Sequence, residues 1–234
     1  MRGLFALLSV AAALMFAALP VQAQDRWVEG KHYFRIQPAQ PTTVPPGKVE
    51  VAEVLSYGCP ACFRFLPVME QMKKQLPPQA QLVYVHASFN PSEQWPMFQR
   101  AFYTAQQLNL VDKTHDAMFR AVWGRNGEMS LTDPATNRLK SSPPTLEDAA
   151  KFYAKTTGVD PKLFLDTSKS FVVDANIRRA EAFMKAARVD QTPTIVVNGK
   201  YRLTVQSVGG VNEMLELVNY LVQKESLASS ASLR

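Results

Sequence analysis

The 234-residue chain carries 26 Lys and Arg against 20 Asp and Glu, a formal net charge of +6, with 47% hydrophobic residues and two cysteines. That apolar content is ample for a packed core, and two cysteines are too few for a disulfide-stapled scaffold. The basic excess is dispersed: the longest runs are the pairs Lys73-Lys74 and Arg178-Arg179, which read as solvated helix faces and not as a nucleic-acid grip.

In residues 1–23, Arg2 precedes an apolar run from Leu4 to Leu19, and the segment closes with Pro20 and Val21-Gln22-Ala23. This is the pattern of a secretory signal with cleavage expected after Ala23. The run falls short of the ~20 residues a membrane span needs. Without Arg2 the charge is 25 − 20 = +5, and the exported remainder is long enough for one large domain or a domain carrying an insertion.

Residues 48–57, "KVEVAEVLSY", read as a strand buried on both faces. Gly58 breaks it, and "PACFRFLPVMEQMKKQL" reads as a helix whose turns are tracked by Phe63, Leu66, Met69 (or Glu70) and Lys73, ending at Leu76-Pro77-Pro78. The two cysteines, Cys59 and Cys62, sit where strand becomes helix. Cys59 falls at the N-cap, Pro60 at the first helical position, and Cys62 at the third. An N-cap side chain accepts from the backbone N–H of position 61 or 62, and a thiolate there meets the positive end of the helix. Both effects predict a depressed pKa and a nucleophilic role for Cys59, with shielded Cys62 able to close the ring by attacking a mixed disulfide. The same spacing occurs in zinc sites, but zinc needs four ligands, and His32, His86 and His115 are widely separated. Ligand count therefore favours a redox pair over a metal site.

A second strand is expected over 81–89, "QLVYVHASF". Helix signals follow in "EQWPMFQRAFYTAQQLN", "DKTHDAMFRAVWG", "TLEDAAKFYAKTT", "DPKLFLDTSKS" and the stretch to Arg188. Thr145 to Asp148 resembles a capping box with Asp in the reciprocal position, and Asp160-Pro161 supplies an N-cap and first-turn proline. Met97, Phe98, Phe102, Met118, Phe119 and Trp123 read as core, and His115 as an ordinary helix residue. Arg125 to Pro144 has no clear period and reads as a surface loop. In "QTPTIVVNGKYRL", 191–203, Ile195 to Val197 is a strand and Asn198-Gly199 a hairpin turn leading to a partner strand. Thr192-Pro193 precedes it, where a cis peptide bond could hold a tight turn. A final helix carries the stripe Val211, Met214, Leu215, Val218, Leu221 and Val222, with a frayed tail expected from Glu225.

This succession resembles thioredoxin, and the long helical segment between its halves is similar to the DsbA family of periplasmic thiol–disulfide oxidoreductases. The resemblance rests on the Glu53-to-Cys59 spacing, Cys59-Pro60-Ala61-Cys62, "VVNGKY", Thr192-Pro193 before it, "EGKHYFRI" at 29–36 and Pro67 in the active-site helix. It implies an α/β, thioredoxin-like fold over 24–90 plus 189–225, with an inserted helical domain at 91–188 and a flexible tail at 226–234. It further implies that Pro193 is cis and packs against the cysteine pair. The Thr192 backbone then binds an extended substrate segment by strand-like pairing. Glu53 resembles the family's buried acid, positioned to relay a proton to or from Cys62. Its setting among Val51, Val54 and Leu55 independently predicts a pKa raised by desolvation.

The resemblance also implies a periplasmic monomer with no cofactor. Its expected partners are the reduced cysteines of exported proteins and a membrane, quinone-linked reoxidant of the DsbB type. The best-known family pattern has His where this chain has Ala61, so less oxidising power is expected than in a His-bearing relative. The alternatives are an isomerase or reductase of the same fold, or a metal-binding or redox-silent module. Family isomerases usually add an N-terminal dimerisation domain, for which the short stretch between Ala23 and the first strand leaves no room.

Overall fold

A computed structural model describes residues 26–232; the expected signal segment, 1–23, lies outside the described residues. Five strands form one sheet in the order β1-β5-β4-β2-β3, comprising β1 (Phe34–Arg35), β2 (Val49–Leu55), β3 (Ala80–His86), β4 (Thr194–Val197) and β5 (Tyr201–Leu203). β2 and β3 run parallel, while β4 pairs antiparallel with both β2 and β5. The α1 helix (Pro60–Gln75) makes the parallel crossover from β2 to β3. Between β3 and β4 the chain forms α2 (Trp95–Gln107), α3 (Val111–Trp123), α4 (Leu146–Thr157), α5 (Pro161–Ser168) and α6 (Phe171–Ala186). It closes with α7 (Val205–Val208) and α8 (Val211–Ser232).

Every residue of β2 is buried, Glu50 and Glu53 included, and the sheet is covered on both faces. Val49, Val51, Ile195 and Val197 pack with Met69 and Met72 of α1 and with Met214, Val218 and Leu221 of α8. Ala52, Val54 and Val196 join a second cluster with Phe98 and Phe102 of α2 and Phe119 of α3. Each such large apolar side chain contributes roughly 1.5–3 kcal/mol by leaving water.

Local chemistry sets several boundaries as the sequence predicts. Thr145 and Asp148 form the reciprocal capping box of α4, and Asp160 caps α5 by accepting from the Lys162 N–H. Asn198 and Gly199 both have positive φ, and the Lys200 N–H donates to the Val197 carbonyl across the turn. A side chain at Gly199 would collide with the Gln40 carbonyl, 2.1 Å from an ideal Cβ. Of the six residues expected as core, Phe98, Phe102, Met118 and Phe119 are buried, and Met97 and Trp123 are half-buried against them.

Four expectations are corrected. The opening strand shrinks from 29–36 to Phe34–Arg35, because Gly30 to Tyr33 close a turn in which His32 N–H donates to the Val28 carbonyl. β3 stops at His86 instead of 89. The sheet-facing stripe of α1 is Cys62, Phe65, Met69 and Met72; Phe63 turns toward α3, its ring centroid 6.5 Å from that of Phe119. The final helix continues through residues 226–232, expected as a tail. Buried Glu225 anchors it, accepting from Asn198 Nδ2 at 2.7 Å and Lys200 Nζ at 2.5 Å. The stretch 125–144 has no helix or strand of its own, yet Met129 and Leu131 are buried in the core.

Candidate active site

The turn between β2 and α1 is built from backbone donors. Ser56 starts it: its carbonyl accepts from the Cys59 N–H at 3.0 Å, and its hydroxyl from the Gly58 N–H at 3.2 Å. Cys59 is extended, with φ −94° and ψ 114°, and is the N-cap of α1; Pro60 opens the helix. The Cys59 Sγ accepts from the Cys62 N–H at 3.3 Å, the geometry that the sequence spacing predicts. Both cysteines are buried free thiols.

The environment separates them chemically. The Cys59 thiol is brought down to about 6, chiefly because the Cys62 thiol can donate to its sulfur; burial opposes this, while the Thr192 side chain and the N–H groups of Cys62 and Ala61 add to it. The Cys59 thiol can also donate to the Thr192 carbonyl, 3.6 Å from Sγ. Cys62 is pushed well up, first by burial and then by the neighbouring Cys59. One sulfur therefore holds charge readily at neutral pH, and the other holds its proton.

Across the turn, Thr192-Pro193 is a cis peptide whose two residues are half-buried. Pro60 is exposed and Ala61 half-buried on the open side. Glu53 lies on β2 just upstream, 2% exposed. Burial drives its carboxyl up to about 8, against an opposing pull from Lys73. Pro67 lies inside α1 on its exposed face.

The comparisons with known proteins agree over nearly the whole chain. Residues 45–216 match a family described as Thioredoxin. The thiol:disulfide interchange protein DsbA of Pseudomonas aeruginosa is 32% identical over 229 residues, covering 98% of this chain and 99% of that protein. The chain belongs to the DsbA family. DsbA of Pseudomonas syringae pv. tomato is 33% identical over 232 residues, covering 99% and 100% of the two chains. The crystal structure of Pseudomonas aeruginosa DsbA superposes with a TM-score of 0.73 at 31% identity, covering 88% of this chain and 98% of that one. That of DsbA from Xylella fastidiosa gives 0.72 at 30% identity, with 85% and 97% covered. The fold is thioredoxin-like, and the protein is a thiol:disulfide oxidoreductase.

In this DsbA-family chain, the residues that hold the turn in place were not legible beforehand. Tyr57, immediately before Gly58, has both backbone groups satisfied by distant side chains: its N–H donates to His86 Nε2 at 3.0 Å, and its carbonyl accepts from Trp123 Nε1 at 2.8 Å. With Nε2 accepting, the His86 proton sits on Nδ1, which donates to the Ala87 carbonyl at 3.0 Å. The Tyr57 hydroxyl pairs with His115 Nδ1 at 3.2 Å. His115 is a residue of α3, as expected, and is buried behind the turn. Burial drives both histidines down to about 3. Trp95 stands against Gly58, its Cδ1 and Nε1 2.6 Å from where a Cβ would lie, so a side chain there would force the indole to move. Among these, the Gly58 that breaks the strand was the one available signal. Among the described residues, no group of three or more His, Cys, Asp or Glu is gathered as a metal would require.

Proposed function

We propose that this oxidoreductase works in the oxidising direction, donating a Cys59–Cys62 disulfide to reduced cysteines of exported proteins. The observation that carries this is the opposed setting of the two sulfurs: Cys59 caps a helix amino end and is favoured as thiolate, while Cys62 is sealed and favoured as thiol. Whatever stabilises the reduced thiolate makes the disulfide easier to pass on.

In this reading a substrate thiolate attacks Cys59 Sγ, forming a new S–S bond as the pair from the old bond departs on Cys62. Protonated Glu53 supplies the proton Cys62 then needs. A second substrate thiolate attacks the substrate sulfur of the mixed disulfide, and Cys59 leaves as the stabilised thiolate. Thr192 and Pro193 bind the substrate segment beside the turn, and Pro60 and Ala61 form its open side. Residues 91–188 act as an inserted domain on a thioredoxin-like body made of 24–90 and 189–225. The protein functions as a periplasmic monomer after signal cleavage at Ala23, and a quinone-linked membrane partner of the DsbB type restores the disulfide. Among the described residues no helix is long and apolar enough to cross a membrane.

The test is the Cys59–Cys62 equilibrium against glutathione, followed by tryptophan fluorescence. Reduction by little glutathione is expected. A disulfide that resists reduction would instead support an isomerase or reductase, the reading favoured by Ala61, which has no side-chain donor for the thiolate.

A further inference from the structure

β3 ends the sheet and is hydrogen-bonded to β2 on one side only. The ladder fixes which of its backbone groups look outward. The Val49 N–H donates to the Gln79 carbonyl, and the Ala87 N–H to the Leu55 carbonyl, so odd-numbered residues along β3 turn their backbone toward β2. Even-numbered residues turn theirs away, since the orientation alternates along a strand. His86 follows this parity: its N–H donates to the Tyr103 hydroxyl at 3.2 Å and its carbonyl accepts from Gln99 Nε2 at 2.8 Å, both from α2. Leu82 and Tyr84 face the same way, and their backbone N–H and C=O groups have no partner among the described residues. α2 thus closes the edge at His86 and leaves it open over Leu82 to Tyr84.

A cavity flanks this open stretch on each face of the sheet. Val83 and Val85 share one face with Ala52 and Val54, and Leu82 and Tyr84 share the other with Val51 and Glu53. The first cavity, about 570 Å³, is walled by Val83, Val85 and Tyr103 and by Ala180 and Phe183 of α6. Its two charged residues, Glu50 and Arg179, are of opposite sign, and Glu50 already accepts from the Thr43 N–H and hydroxyl. The second cavity, about 440 Å³, sets Glu70, Asp112 and Asp116 against Lys73 and Lys113. Tyr84 lines both. The unpaired backbone therefore lies between a largely apolar cavity and a net acidic one.

Unmet N–H and C=O groups at strand spacing are matched by another extended backbone, which would lie ~4.8 Å away and send successive side chains to opposite faces. We propose that the open edge of β3 at Leu82 to Tyr84 docks an extended segment of a client polypeptide as an added strand. Alternate apolar side chains enter the cavity against Val83, Val85 and Phe183, and the basic side chains between them enter the one holding Asp112 and Asp116. Because α2 occupies the edge at His86, the docked segment stays off the cysteine turn and holds a client while its thiols react elsewhere. That the partner is an exported client rests on the donor reading above; the docking itself involves no sulfur.

The experiment is fluorescence anisotropy of a labelled, cysteine-free peptide, Thr-Val-Lys-Val-Lys-Val-Thr, titrated with the full-length protein and with its Cys59→Ser variant. Equal binding to both is expected. N-methyl groups on all three Val, or on both Lys, block opposite backbone edges of the peptide. One methylated form should lose about tenfold or more in affinity and the other should bind as the parent does; loss in both or in neither overturns strand pairing. Asp112→Lys should weaken the Lys peptide about threefold, and a Glu-for-Lys peptide should bind this variant better than the parent protein. A photoreactive residue in place of the central Val should crosslink to β3, α2 or α6. Crosslinking to Thr192 or Pro193, or no binding of the parent peptide, overturns the proposal. A peptide-free dimer in sedimentation that the peptide fails to dissociate would assign the edge to a second copy of this chain and overturn it as well. If the peptide binds as expected while the disulfide resists glutathione, the docking site stands and the donor reading fails.

Discussion

Cys59 and Glu53 are both nearly sealed from water, at 5% and 2% exposure, yet burial has opposite outcomes at the two places. At the amino end of α1, N–H groups and a thiol converge on one sulfur and outweigh desolvation, so the charged form is favoured. Beneath the helix, no comparable set of donors converges, and Cys62, Glu53, His86 and His115 all keep their neutral forms. Burial alone decides nothing about charge; what decides it is whether donors point at the group. A site that must hold one thiolate and one thiol needs both environments within a single helical turn.

The largest test of this contrast is at the sulfurs. Cys59→Ser should abolish disulfide exchange, whereas Cys62→Ser should leave Cys59 able to capture a substrate as a stable mixed disulfide, visible by mass spectrometry. If the two variants behave alike, the asymmetry is unfounded. Next is the scaffold behind the turn. His86→Ala leaves the Tyr57 N–H and the Ala87 carbonyl without their partner and opens a hole, and should cost about 2–4 kcal/mol in urea denaturation. Trp123→Phe removes only the bond to the Tyr57 carbonyl and should cost about 1–3 kcal/mol.

The pH dependence of stability sharpens the contrast further. Buried His86 and His115 have pKa values below the unfolded one, so their contribution is full above about 6.5 and is lost as pH falls toward about 3. Glu53 is raised, so its contribution is full below the unfolded carboxyl value and is lost as pH rises through about 8. Oxidised protein, which has no Cys59 thiol, should therefore lose stability between pH 6.5 and 8, and Glu53→Gln should remove that slope. Smallest is Thr145→Ala, far from this chemistry, which should cost about 1 kcal/mol through the lost cap of α4 and leave the redox equilibrium unchanged.

What was legible in the sequence follows the same division. The Cys59 cap, Pro60 start, Asn198-Gly199 turn and Thr145–Asp148 box depend on neighbours within a few residues, so spacing alone reveals them. The raised Glu53 pKa was legible because its neighbours Val51, Val54 and Leu55 are apolar. The docking face of α1 was not: Phe63-Leu66 and Cys62-Phe65 are equally good helical stripes one residue apart, and the helix packs against α3 as well as the sheet. Nor were the partners of Tyr57 legible, because His86 and Trp123 reach it from β3 and α3, and no local pattern reports a contact made by tertiary packing.

The most direct measurement is the melting temperature of reduced minus oxidised protein across pH 5 to 9. Cys59, lowered to about 6, stabilises the reduced form fully above the unfolded thiol value and ceases to do so as pH falls through 6. Reduced protein should therefore melt above oxidised near pH 7, with the gap widening toward pH 9 and shrinking toward pH 5. An oxidised form that melts higher at pH 7, or a gap indifferent to pH, would contradict the claim that the amino end of α1 stabilises the Cys59 thiolate and makes the disulfide a donor.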